Sequence, residues 1–309
     1  MNILITGACG LLGAHLAARL SPDHDVVGMD RHPWWGDAPL TLHQGDLTDA
    51  LYVERVVEAA APDVLIHCAA MVDVEACERD PAMAYAVNAG VTRHLVRLAG
   101  PSCSFVYITT DSLFRGDMPG MTERDLPCPR TEYARSKLHG EWEVELGAPR
   151  HIIARTNFFG GSSGAKRTFG EWLYGALERG DAITLFDDAM FTPIYVGDLA
   201  AAIDGLVARG ACGVFNVCGA DRVSKYEFGM RLARIAGFAT AAVTRGSIAQ
   251  SGQAASRPKD MSLDGGKLCD TLGQPLASVD DGLRQFVADR RRPLSRRGPS
   301  RAAGRMRQD

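Results

Sequence analysis

The chain has 309 residues, 46% hydrophobic and 23% charged, with a formal net charge of −3. At roughly 150 residues per domain this suits a globular chain of about two domains, and it excludes collagen-like, coiled-coil and wholly disordered polymers. No apolar run reaches the roughly 18 residues of a membrane helix, and Met1-Asn2-Ile3-Leu4-Ile5-Thr6 lacks the basic start of a secretory signal.

Eight cysteines are scattered with no CxxC pair, and eight histidines show no HExxH or HxxxH spacing. That pattern reads as reduced thiols in a cytoplasmic protein without a metal site. The charge is uneven. Residues 290–309 carry eight arginines and one acid, so residues 1–289 carry −10. The tail has almost nothing apolar to bury and is expected to be solvated and disordered from 289 onward. No aromatic or folded basic face accompanies its arginines, so a nucleic-acid partner is not expected.

The first half alternates apolar runs with helix-length segments. Asn2–Thr6, Asp25–Asp30, Leu40–Gln44, Asp63–Cys68, Phe105–Thr109 and His151–Arg155 read as strands. Between them, helices are expected up to Leu20, over Tyr52–Ala60, as one long helix over Asp80–Ala99, and over Glu132–Leu146. Val- and Ile-rich strands without strict alternation suit a parallel sheet covered on both faces. The expected fold is therefore α/β, a doubly wound Rossmann-type parallel sheet with a smaller α/β substrate-binding domain built from C-terminal segments. The division is read as 1–158 plus about 191–218 for the first domain and about 159–190 plus 219–288 for the second. In the second half, Lys225–Ala236 is an amphipathic helix with Ser224 as N-cap and Gly237 closing it.

Two clusters carry chemistry. Gly7, Gly10 and Gly13 form GxxGxxG directly after the first strand and opening a helix. Such glycines allow a tight turn, close approach to a pyrophosphate and close helix packing. Cys9, Leu11 and Leu12 belong to the same loop. Asp30 ends the second strand 23 residues after Gly7, where a carboxylate accepts from ribose hydroxyls and repels a 2′-phosphate. Arg31 follows and can pair with that phosphate or stack on adenine. Asp46 and Leu47 either cap the adenine edge or make an Asx turn.

The second cluster is Tyr133-x-x-x-Lys137 on an expected helix. The two side chains share a face, so the ammonium is expected to stabilise the phenolate and bring the phenol down from its usual value near 10. Thr110 closes the fifth strand, where open parallel sheets place their ligands.

These motifs, with HCAAMVDVEACERDP, VNAG, TTDSLF, RTNFFG and RPKDMSLD, resemble the extended short-chain dehydrogenase/reductases, and within them the dTDP-4-dehydrorhamnose reductase group. The resemblance spans residues 1 to about 285. It implies an oxidoreductase with catalytic Thr110, Tyr133 and Lys137, Tyr133 and Lys137 also touching the cofactor. Cys68, Ala69 and Ala70 would line the cofactor, and Asn88 would support the site. Asp111, Asn157 and Arg257 would meet the nucleotide sugar. The implied cofactor is NAD(P)H, leaning to NAD(H) on Asp30. The implied partner is a nucleotide-sugar substrate, with a homodimer left open and no membrane.

The leading function is reduction of a 4-keto nucleotide sugar. An epimerase or dehydratase of the same family is the alternative, as is a non-catalytic cofactor-binding subunit such as the regulatory subunit of methionine adenosyltransferase. The family's dehydratases place an Asp-Glu pair after the threonine. Here Ser112 stands in the Glu position, which favours reduction over dehydration.

Overall fold

The structure, a computed structural model, describes residues 1–36, 38–161, 168–250 and 258–291. Its centre is a seven-stranded parallel sheet. The strands are β1 (Asn2–Thr6), β2 (Asp25–Asp30), β3 (Thr41–Gln44), β4 (Val64–His67), β5 (Ser104–Thr110), β6 (His151–Thr156) and β7 (Gly213–Asn216). Their order is β7-β6-β5-β4-β1-β2-β3. The order reverses between β1 and β4, the switch point where such sheets open a crevice at their carboxyl ends.

Both faces are covered, which explains the unbroken apolar runs. Ile3, Ile5, Val106 and Ile108 pack with α1 (Leu11–Leu20) and α6 (Val196–Ala208) on one side. Leu4, Leu65, Phe105 and Tyr107 pack with α2 (Ala50–Ala60), α3 (Val91–Ala99) and α4 (Glu132–Gly147) on the other. The C-terminal segments add α5 (Phe169–Arg179), α7 (Lys225–Ala236) and α8 (Val279–Arg291), with three two-stranded pairings beside them. Ser224 caps α7 as expected: its Oγ accepts from the Glu227 N–H at 3.0 Å.

The long helix expected over Asp80–Ala99 runs unbroken from Pro81 to Ala99, with a π-turn at Ala86–Gly90 between Pro81–Tyr85 and α3. Asp80 caps a fresh start at Pro81, and the wide turn turns the Asn88 carbonyl toward the Tyr107 hydroxyl, 3.1 Å away. Of the tail expected from 289, residues 289–291 belong instead to α8, which runs to Arg291. Arg290 faces Glu171 at 3.6 Å, and Arg291 Nη2 donates to the Ala236 carbonyl at 2.7 Å. Residues 292–309 lie outside the described residues. No described helix is long and apolar enough to cross a membrane.

Candidate active site

The glycine loop has the geometry its spacing requires. Gly7 sits at φ +69°, and a Cβ there would stand 2.7 Å from the Ala69 nitrogen. A Cβ on Gly13 would collide with the Gly7 carbonyl oxygen. Gly10 donates its N–H to that same oxygen at 3.0 Å and opens α1 without a side-chain cap. The loop therefore offers a close backbone cradle and the amide end of a helix, which fit the pyrophosphate of a dinucleotide. Leu11 and Leu12 begin that helix, Leu12 pointing into the core.

Cys9 is the loop's anchor. Its N–H donates to Asp30 Oδ2 at 2.9 Å, its thiol faces the His32 carbonyl, and its own carbonyl accepts from Trp35 Nε1 at 2.6 Å. Burial pushes the thiol up to about 12. Asp30 Oδ1 accepts from the His32 N–H at 2.9 Å, so the carboxylate also orders the segment that follows β2. Arg31 beside it is exposed. Asp46 makes an Asx turn, accepting from the N–H and hydroxyl of Thr48, which holds its carboxyl below the usual range. Leu47 packs against the core. The part played by Trp35 was not legible in the sequence, because an indole in a loop carries no spacing signal.

Cys68, Ala69 and Ala70 are half-buried just past β4, alongside Gly7. Burial pushes the Cys68 thiol up to about 12. Asn88 ties this segment to α4: Oδ1 accepts from the Met71 N–H at 2.8 Å, and Nδ2 donates to the Met71 carbonyl and to Ser136 Oγ at 2.9 Å. Beneath it lies His67. Thr92 Oγ1 donates to the Asn88 carbonyl at 2.8 Å, so it must accept from His67 Nε2–H. Nδ1 then accepts from the Thr6 hydroxyl at 2.6 Å. The ring is a neutral Nε2–H tautomer, and burial lowers its pKa to about 3.

Thr110 ends β5, and Tyr133 and Lys137 stand one turn apart on α4. Thr131 caps α4 through the Ala134 N–H at 3.2 Å and so sets the helix phase that presents Tyr133. The Tyr133 side chain lies beside Thr110. The expected lowering of the phenol is corrected here: burial pushes it up to about 12, and the Thr110 side chain only partly opposes this. The Lys137 ammonium turns inward instead, 4.1 Å above the Tyr107 ring. It is 2% exposed, and burial lowers its pKa to about 7 against the pull of Glu141 and Cys68. A helical glycine makes room beneath: a Cβ on Gly140 would overlap the Tyr107 hydroxyl.

Asp111 and Asn157 meet beside Thr110. Asn157 Nδ2 donates to Asp111 Oδ2 at 2.7 Å, while the hydroxyls of Thr110 and Ser112 lie 3.3 and 3.2 Å from Oδ1. Asp111 is 2% exposed. Burial raises its pKa to about 6, opposed by Asn157, Lys225, Ser112 and Thr110. Arg257 lies outside the described residues. A further buried pair, Glu141 with Arg155, stands behind Lys137. The sequence signal that could have found it is the second step of four, from Lys137 to Glu141 on α4.

The model of the family described as RmlD substrate binding domain matches residues 1–292. The chain belongs to that family. Its members are extended short-chain dehydrogenase/reductases, as the glycine loop and YxxxK imply. Among relatives, a probable low-salt glycan biosynthesis reductase, Agl14, of Haloferax volcanii is 32% identical over 93% of this chain and 98% of its own. The dTDP-4-dehydrorhamnose reductase of Mycobacterium tuberculosis is 34% identical over 71% of this chain and 76% of its own. The crystal structure of dTDP-4-dehydrorhamnose reductase from Bacillus anthracis in complex with NADP superposes with a TM-score of 0.82, at 27% identity, over 93% of this chain and 98% of that one. The doubly wound sheet with its C-terminal additions is thus the fold of this family.

Proposed function

We propose that the protein is an NAD(P)H-dependent reductase of a 4-keto nucleotide sugar. The observation that carries the reading is the conjunction of Thr110 at the end of β5, Tyr133 and Lys137 one turn apart on α4, and Cys68 between Lys137 and the glycine loop at Gly7. The same reductase chemistry is named for the Mycobacterium and Bacillus relatives.

When bound, the nicotinamide supplies the hydride. The chain supplies everything else. The loop Gly7–Gly13, with Cys9, Gly10, Leu11 and Leu12, receives the pyrophosphate. Asp30 and Arg31 take the adenosine ribose, Asp46 and Leu47 border the adenine, and Cys68, Ala69 and Ala70 line the path to the nicotinamide. Thr110 and Tyr133 hold the substrate carbonyl oxygen between two hydroxyls, and Tyr133 donates the proton that completes the alcohol. A phenol pushed up to about 12 carries its proton at neutral pH, so the proton to be donated is present. Lys137 holds the nicotinamide ribose and stabilises the phenolate left behind. Asp111, Asn157 and Arg257 belong to the sugar-nucleotide side. In this reading residues 1–158 with about 191–218 bind cofactor, and 159–190 with 219–288 close over the sugar, in a cytoplasmic enzyme.

NADH is proposed to serve at least as well as NADPH. The Asp30 carboxylate is fixed at the end of β2 by two backbone N–H groups, where it opposes a 2′-phosphate. The test of the whole reading is loss of reduced-cofactor absorbance with a panel of 4-keto nucleotide sugars, dTDP-4-dehydrorhamnose first. Stoichiometric oxidation supports reduction. Redox-neutral turnover would assign an epimerase or dehydratase, and tight cofactor binding without turnover a subunit.

A further inference from the structure

Tyr133, Lys137 and Glu141 are spaced four and four along α4, so their side chains share one face. The Glu141 side chain is 1% exposed, and that of Arg155, from β6, 5%. Arg155 grips the carboxylate through two nitrogens, Nη2 to Oε2 at 2.7 Å and Nε to Oε2 at 3.2 Å. An ion pair this far from water returns little net stability, because desolvation offsets most of the attraction. Stability is therefore a poor account of why it stands one turn from a catalytic lysine.

The surroundings of Lys137 supply a better one. Burial in an apolar pocket favours loss of its proton. The titratable groups facing it are Glu141 on α4, Tyr107 on β5, and His67 and Cys68 at the end of β4, with Tyr133 one helical turn before it. His67 is neutral by its hydrogen bonds, and burial keeps Tyr107, Tyr133 and Cys68 protonated. Burial raises the Glu141 carboxyl, and the Arg155 guanidinium that grips it opposes that rise.

We infer that Glu141 and Arg155 are positioning residues for the reaction: the Glu141 carboxylate keeps the buried Lys137 ammonium protonated, and Arg155 keeps Glu141 ionised. The kinetic half of this inference rests on the proposed reductase function. The titration of Lys137 does not.

The chain has five lysines, so labelling lysine Cε with ¹³C gives few NMR signals, and K137M identifies the one from Lys137. In E141Q the charge of Arg155 is left uncompensated, and the midpoint of the Lys137 signal falls by about one pH unit or more. The alkaline fall of kcat moves down the pH scale by the same amount, while kcat at a pH well below the variant's midpoint stays within about threefold of wild type. E141D keeps the charge and keeps the midpoint. An unmoved midpoint in E141Q, or a loss of kcat by one factor at every pH, overturns the inference. If the lone Arg155 cation prevents E141Q from folding, E141Q/R155M carries the same test: a lowered midpoint supports the inference and a wild-type midpoint overturns it. A lowered midpoint in a protein that reduces no keto sugar would sink the reductase reading and leave the pair's effect on Lys137 standing.

Discussion

Asn157, just past β6, donates its side-chain amide to the buried carboxylate of Asp111, just past β5, at 2.7 Å. This bond joins the ends of two neighbouring strands across the floor of the site, next to Thr110. It also opposes the burial that raises Asp111 to about 6. Removing the donor must let that value climb. In N157L, kcat/KM is expected to fall at pH 6 and to recover in part at pH 8, where Asp111 ionises again. The pH profiles of variant and wild type decide it: a parallel loss at all pH values would mean that Asn157 acts only through contact with the sugar.

Tyr133→Phe is expected to fold, to bind cofactor and to lose about 10²- to 10⁴-fold in kcat, the usual worth of a positioned general acid. The hydroxyl leaves, while the helix cap at Thr131 and the Lys137–Tyr107 contact stay. Cofactor affinity measured beside kcat separates this from a misfolded site. A near wild-type kcat would remove Tyr133 from the mechanism.

Cofactor choice turns on Asp30. Wild type is expected to use NADH at least as efficiently as NADPH. D30N removes the charge but keeps an acceptor for the Cys9 N–H, and should shift the ratio of kcat/KM values toward NADPH by about tenfold. A wild type that strongly prefers NADPH would show that Arg31, exposed beside the ribose position, outweighs the carboxylate.

His67 links the site to acid stability. Its pKa is about 3 in the fold against 6.5 in a model peptide. The unfolded chain therefore binds the extra proton between those values, and this contribution to stability is whole above pH 6.5 and lost as pH falls toward 3. The slope is about 1.4 kcal/mol per pH unit. Asp111, whose pKa is raised, works in the opposite sense from 3.8 to about 6, so the informative quantity is the difference between proteins. Denaturant unfolding of H67Q should show a shallower loss between pH 6.5 and 5 than wild type. Equal slopes would mean that the ring is already charged in the fold.

Truncation tests where the folded chain ends. Deleting 292–309 should leave the melting temperature and kcat unchanged, as the Arg-rich composition implies. Deleting from 290 should cost up to about 1 kcal/mol, since it removes the Arg290–Glu171 pair and the Arg291 bond to the Ala236 carbonyl. A drop in Tm with the shorter deletion would show that the tail docks.

The sequence by itself determined the doubly wound sheet, the glycine loop and the Tyr133–Lys137 pair. Each rests on short-range rules: buried parallel strands need unbroken apolar runs, a tight loop needs glycine at Gly7 and Gly13, and a step of four on a helix sets two side chains on one face. Those rules hold whatever lies on the far side of the core. Only the tertiary structure decided the charge states and the supports. Lys137 leans over Tyr107, Arg155 comes from β6 to hold Glu141, Trp35 bonds the Cys9 carbonyl, and the helix over Pro81–Ala99 widens into a π-turn where the Asn88 carbonyl meets Tyr107. All four depend on which elements become neighbours and on how much water their contact excludes. Burial and cross-strand contact are properties of the assembled core, so no local pattern of residues encodes them.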